Sequence, residues 1–124
     1  MLKATFEEKD NKLTLRLKGH AGQAEIGHDL VCASCSILAY TVAQFVQIAD
    51  AKGDLKSTAV IKLESGDALI ECEPTDDTYE MMFNIYHFAQ MGYILLCQNY
   101  PQYVELKPFG AVQAVNINQK ESLT

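Results

Sequence analysis

The chain has 124 residues, 48% of them apolar and 21% charged, with a formal net charge of −6 and an isoelectric point near 4.9. This length predicts one globular domain over residues 1–124, able to bury roughly two thirds of its unfolded surface, and the apolar share excludes intrinsic disorder. The acidity argues against direct nucleic-acid binding, whose footprint is a basic patch, and no unbroken run approaches the ~20 apolar residues of a bilayer span, so no membrane partner is expected.

Leu2, Ala4 and Phe6 alternate with polar neighbours, as do Leu13, Leu15 and Leu17. Asp10-Asn11 between them predicts a β-hairpin. A loop follows, from Gly19 to His28, with three glycines at 19, 22 and 27; loops of this length in small domains are often functional. Asp29 is a good N-cap for a long helix whose apolar stripe runs through Val31, Cys35, Leu38, Val42, Phe45 and Ala49 and stops at Lys52-Gly53-Asp54. Residues 58–63 and 68–72 form a second predicted hairpin about Glu64-Ser65-Gly66-Asp67. Pro74-Thr75-Asp76-Asp77 then offers a cap and first-turn acids for a second helix over about 76–98, ended by Asn99-Tyr100-Pro101. Val104 and Leu106, alternating with Tyr103, Glu105 and Lys107, predict a last strand. The tail 108–124 is expected to be loose or to add a short strand at 112–117. The order ββαββαβ predicts an α+β fold of two layers, a mostly antiparallel sheet with both helices on one face.

Four cysteines, at 32, 35, 72 and 97, occur in a chain whose N-terminus turns acidic at Glu7-Glu8 before any signal-like stretch forms. A cytoplasmic protein with free thiols is the expectation. Cys72 and Cys97 fall on apolar patterns and read as small buried hydrophobes.

The chemistry concentrates between Gly19 and Ser36. With Asp29 as N-cap, Cys32 lies in the first helical turn, one step round from the core stripe, where the helix dipole and unpaired N–H groups favour a thiolate. The same N–H groups are candidates to hold an oxyanion. His20, at a strand end between Gly19 and Ala21, is a candidate general base and acid for that thiol. His28 can stand in for it but reads as an exposed turn residue, and His87 as a mid-helix residue. Two other readings compete. Cys32-Ala33-Ser34-Cys35 is a CxxC at a helix start, which suggests thiol redox chemistry, although Cys35 lies on the core stripe. His20, His28, Cys32 and Cys35 together suggest a zinc site, but their spacing fits no common pattern. No GxGxxG, GxSxG, HExxH or calcium loop is present.

The run Gly19-His20-Ala21, the glycine-containing loop, then Gly27-His28-Asp29-Leu30-Val31-Cys32-Ala33 and Ser36 resembles the ribosomal-processing cysteine protease (Prp) family, as do the length and element order. The resemblance implies a small bacterial cysteine endopeptidase that works without metal or cofactor. Its partner would be a large-subunit ribosomal protein precursor, whose N-terminal extension it removes after an aromatic residue, and it would act as a homodimer. Carried over, Cys32 is the nucleophile and His20 the general base and acid. Asp29 caps the helix and places the loop, Gly19, Ala21 and Gly27 belong to the loop motif, and Ser36 has a structural or substrate-contact role. Cys35 departs from the family pattern and leaves room for a Cys32–Cys35 disulfide switch. The alternative function is a non-catalytic, ribosome-associated module that grips a peptide in the same loop.

Overall fold

The computed structural model describes residues 1–25 and 28–110. Its elements are β1 (Leu2–Lys9), β2 (Lys12–Lys18), α1 (Leu30–Ala51), β3 (Val60–Glu64), β4 (Asp67–Cys72), α2 (Tyr79–Asn99) and β5 (Val104–Lys107). The five strands form one sheet in the order β3-β4-β2-β1-β5, antiparallel throughout except that β5 runs parallel to β1. This is the predicted α+β architecture. Asp10 and Asn11 both adopt positive φ in the β1–β2 turn, a conformation that short polar side chains tolerate and that suits the strand twist.

Period-two alternation sends Leu2, Ala4, Phe6, Leu13, Leu15, Leu17, Ala68, Ile70 and Cys72 to one face, where both helices cover them. From α1 come Val31, Cys35, Ala39, Val42, Ala43, Val46 and Ala49; from α2 come Met82, Tyr86, Ala89 and Tyr93. The Phe6 ring meets Tyr93 edge-on at 5.6 Å, and the Tyr93 hydroxyl donates to the Cys35 carbonyl at 2.7 Å, which ties α2 to the first half of α1. The α1 stripe follows the predicted spacing with a small drift: Leu38 and Phe45 end half-buried, while Ala39 and Val46 take their places in the core.

Two expectations are corrected. Counting unbroken apolar runs misses α1, which by length and composition is apolar enough to cross a bilayer. Uncharged Ser34, Ser36, Thr41, Gln44 and Gln47 interrupt its apolar run without adding charge, and the stripe it buries is spent on the sheet and on α2. In addition, α2 begins at Tyr79 rather than near Asp76. The preceding residues are held back on the end of α1: Thr75 N–H donates to the Asp54 carbonyl at 3.0 Å, and the Thr78 hydroxyl to the same carbonyl at 2.6 Å. Asp76 and Asp77 therefore stand before the helix, and Glu80 is its first-turn acid.

Past β5 the chain is latched onto α2. The buried Gln90 amide donates to the Phe109 carbonyl at 3.1 Å and accepts from its N–H at 2.9 Å, while the Phe109 ring stacks on Phe6 at 5.9 Å. The strand proposed for 112–117 lies outside the described residues.

Candidate active site

The helix start dictates the geometry. Asp29 is extended (φ −90°, ψ 106°), and its carboxylate accepts from three backbone N–H groups: Cys32 at 2.9 Å on one oxygen, Gln23 at 2.9 Å and Ala24 at 3.3 Å on the other. One side chain thus caps α1 and pins the preceding loop over it. Burial works against the charge, but N–H donors from Cys32, Ala24, Gln23 and Val31 outweigh it and hold the Asp29 carboxyl below its ordinary range.

Cys32 is half-buried at the rim of the core, and its Sγ accepts the Ala21 N–H at 3.1 Å. That bond ties the sulfur to the loop and fixes its position. Three of the helix-start donors are turned toward Asp29. Cys32 N–H goes to the Asp29 carboxylate, Ala33 N–H to the Asp29 carbonyl at 3.0 Å, and Val31 N–H is turned toward the same carboxylate. Of the groups expected to face an oxyanion, the Cys32 and Ala33 N–H are thus committed to Asp29 in the free protein.

A cleft of about 590 Å³ opens above Cys32. One wall is the loop with Gly19 and His20, another is α1 with Cys32, Ser36 and Tyr40, and the third is the β3–β4 turn from Leu63 to Asp67. Leu2 and Leu17 close it at the sheet. His20 is exposed at its mouth; the fold brings its side chain and Cys32 to one cleft, and no hydrogen bond joins them. Gly19 sits at φ +87° with its N–H on the Gly66 carbonyl at 2.9 Å, and a β-carbon there would come within 2.5 Å of the Met1 carbonyl oxygen. Only glycine fits that crossing. Ala21 is buried beneath the loop, and Ser36 lines the cleft one turn beyond Cys32. Gly27 lies outside the described residues.

The remaining candidates are elsewhere. His28 is exposed and does not line the cleft; His87 packs against Phe83 and Phe109 on α2, at centroid distances of 5.5 and 5.8 Å. Cys35 is fully buried, and burial, followed by the neighbouring Cys32, pushes its thiol up to about 12. A CxxC couple needs a second reachable sulfur, which Cys35 in the core does not offer, and among the described residues no three His, Cys, Asp or Glu side chains converge as metal ligands. Sequence reading missed the β3–β4 turn as a wall of the site. Its only signal, a glycine in a tight turn, is shared by most hairpins.

The family described as cysteine protease Prp matches residues 1–105. Among solved structures, the chain is similar to the essential ribosomal processing protease Prp from S. aureus with a covalently linked product peptide, at 18% identity and a TM-score of 0.64, covering 86% of this chain and 97% of that one. It is similar to the same S. aureus protease with a substrate peptide, at 17% identity and a TM-score of 0.61 over 86% and 98% of the two chains. SMU.848 from Streptococcus mutans shares 26% identity at a TM-score of 0.60 over 86% and 92%. No curated protein matches the sequence.

Proposed function

From the premise that this chain belongs to the cysteine protease Prp family, we propose that it is a cysteine endopeptidase acting through Cys32 and His20. The observation that carries this reading is the Cys32 sulfur, held by the Ala21 N–H at 3.1 Å inside a peptide-sized cleft that His20 also lines. The thiolate attacks the scissile carbonyl. As the tetrahedral intermediate collapses, the C–N bond breaks and His20 protonates the leaving amine. Water, deprotonated by His20, then attacks the thioester; the carboxylate product leaves and the thiol is restored. No hydrogen bond joins His20 to Sγ in the free protein; catalytic hydrogen bonds are often long before substrate binds and tighten in the complex.

The substrate we propose is the N-terminal extension of a large-subunit ribosomal protein, cut after an aromatic residue. The solved S. aureus relatives are a ribosomal processing protease with substrate and product peptides, which supports a peptide occupant for the cleft. Leu2, Leu17, Leu63 and Tyr40 offer an apolar lining, and Glu25 and Glu64 stand at the rim, Glu64 paired with Lys62 at 3.6 Å. That lining suits an apolar peptide segment. We further propose a homodimer, supported by the exposed apolar stripe Leu30, Ile37 and Ile48 along the outer face of α1, and a cytoplasmic location, in keeping with the four free cysteines.

The test is mass spectrometry of the host's own extension peptide, incubated under reducing conditions with wild type, Cys32→Ala and Cys35→Ala. A single cut after an aromatic residue, lost in Cys32→Ala and kept in Cys35→Ala, is the expected result. A peptide that binds wild type and stays whole would replace the protease with a peptide-binding module.

A further inference from the structure

The turn between β3 and β4 lies against the candidate base. β2 and β4 pair with Lys18 opposite Asp67, so the residue after each strand end is carried to the same edge: Gly19 and His20 beyond β2, Gly66 before β4. The Gly19 N–H donates to the Gly66 carbonyl at 2.9 Å, which prolongs the pairing one step past the strands. The imidazole of His20 then lies directly against Gly66. A β-carbon on Gly66 would stand 2.7 Å from Nε2, 3.2 Å from Cε1 and 3.4 Å from Cδ2 of that ring. The first of these separations is one that real β-carbons do not occupy, so any side chain at 66 and the present imidazole exclude each other.

We infer that Gly66 is a positioning residue for the reaction: by lacking a β-carbon it leaves the seat in which the His20 imidazole rests at the cleft mouth. This rests on the reading of His20 as the base. Two features separate the role from ordinary turn chemistry. The conflict is with the far end of an exposed side chain, which can swing away at little cost to the fold, so a substitution at 66 moves the imidazole while the hairpin survives. The φ of Gly66 is +72°, a demand that asparagine also meets and that Gly53 shares at +78° with nothing within 4 Å of a β-carbon. Gly53, at the far end of α1, therefore reports the cost of a positive φ alone.

The experiment compares Gly66→Asn, Gly53→Asn and His20→Ala in the full chain, with the extension peptide as substrate. Readouts are kcat, KM, thermal midpoint, and the pH dependence of Cys32 alkylation by iodoacetamide. Gly66→Asn is expected to melt close to Gly53→Asn, yet to lose about 100-fold in kcat with KM nearly unchanged, the signature of a misplaced catalytic group rather than weakened binding. Its alkylation profile should shift toward that of His20→Ala, whereas Gly53→Asn should follow wild type. Wild-type kcat in folded Gly66→Asn overturns the proposal, and so does Gly66→Asn unfolding where Gly53→Asn folds, since the glycine would then be a requirement of the turn. Full turnover in His20→Ala would instead sink the His20 reading itself, a separate outcome.

Discussion

Asp29 and Asp67 stand on opposite walls of the cleft, and each carboxylate ties separate segments together. Asp29 does so with backbone N–H donors, binding the loop at Gln23 and Ala24 to the helix at Cys32. Asp67 does so with lysines: Lys18 of β2 reaches one oxygen at 2.7 Å and Lys62 of β3 the other at 2.6 Å. Backbone donors arrive already placed by the path of the chain, whereas a lysine must surrender rotamer freedom to make its bond and is screened by salt. The helix-side wall is therefore rigidly specified and the sheet-side wall is held by adjustable tethers.

The largest effect should come from breaking the first. Asp29→Ala removes the cap and leaves the loop N–H groups without their acceptor, which should cost about 2–3 kcal/mol in urea unfolding and most of the peptide turnover. Asp29→Asn, keeping one acceptor oxygen, should recover part of both. If Asp29→Ala is no more destabilising than Asp67→Ala, the contrast between the two walls is lost.

An acid titration sharpens it further. Both carboxyls are held below their ordinary range in the folded protein: Asp67 to about 2, mainly by hydrogen bonds from Lys18 and Lys62, and Asp29 by the backbone donors that overcome its burial. The unfolded chain thus binds more protons than the folded one as pH falls below about 4. The stability these groups supply is complete above that pH and drains away toward pH 2. In Asp67→Asn the thermal midpoint should fall less steeply over that window than in wild type; parallel curves would show that the lysine contacts do not persist in solution.

The smallest difference is one of salt. The deficit of Asp67→Ala relative to wild type should shrink in high salt, while that of Asp29→Ala should stay. Thermal melts at low and high sodium chloride decide it, and equal salt responses would remove the distinction between placed donors and tethers.

What was legible in the sequence follows the same division. The Asp29 cap and the rim position of Cys32 lie within one helical turn, so spacing alone places them. The spending of the first-turn N–H groups on Asp29 was not legible, because a capping residue and an oxyanion site make the same pattern until the donors are traced. The late start of α2 depends on Thr75 and Thr78 reaching back to Asp54, and the wall formed by Gly66 depends on β2 pairing with β4 across α1 and β3. Neither leaves a local signature. Two hairpins and two helices could be read, but the order β3-β4-β2-β1-β5 could not, since alternation shows which face a strand buries and not which strand lies beside it.

The Lys18–Asp67 pair has a consequence beyond its modest stability. No tight turn joins β2 to β4, so nothing in their connection sets how far one slides along the other. A slip of two residues would keep Leu13, Leu15 and Leu17 facing the helices alongside Ala68, Ile70 and Cys72, so alternation alone does not forbid it. The same slip would carry the β3–β4 turn about 7 Å from the end of β2. The ion pair at the last rung, with the Thr14–Glu71 hydrogen bond further along the same two strands, acts as an alignment mark for the one register in which the two halves of the cleft meet.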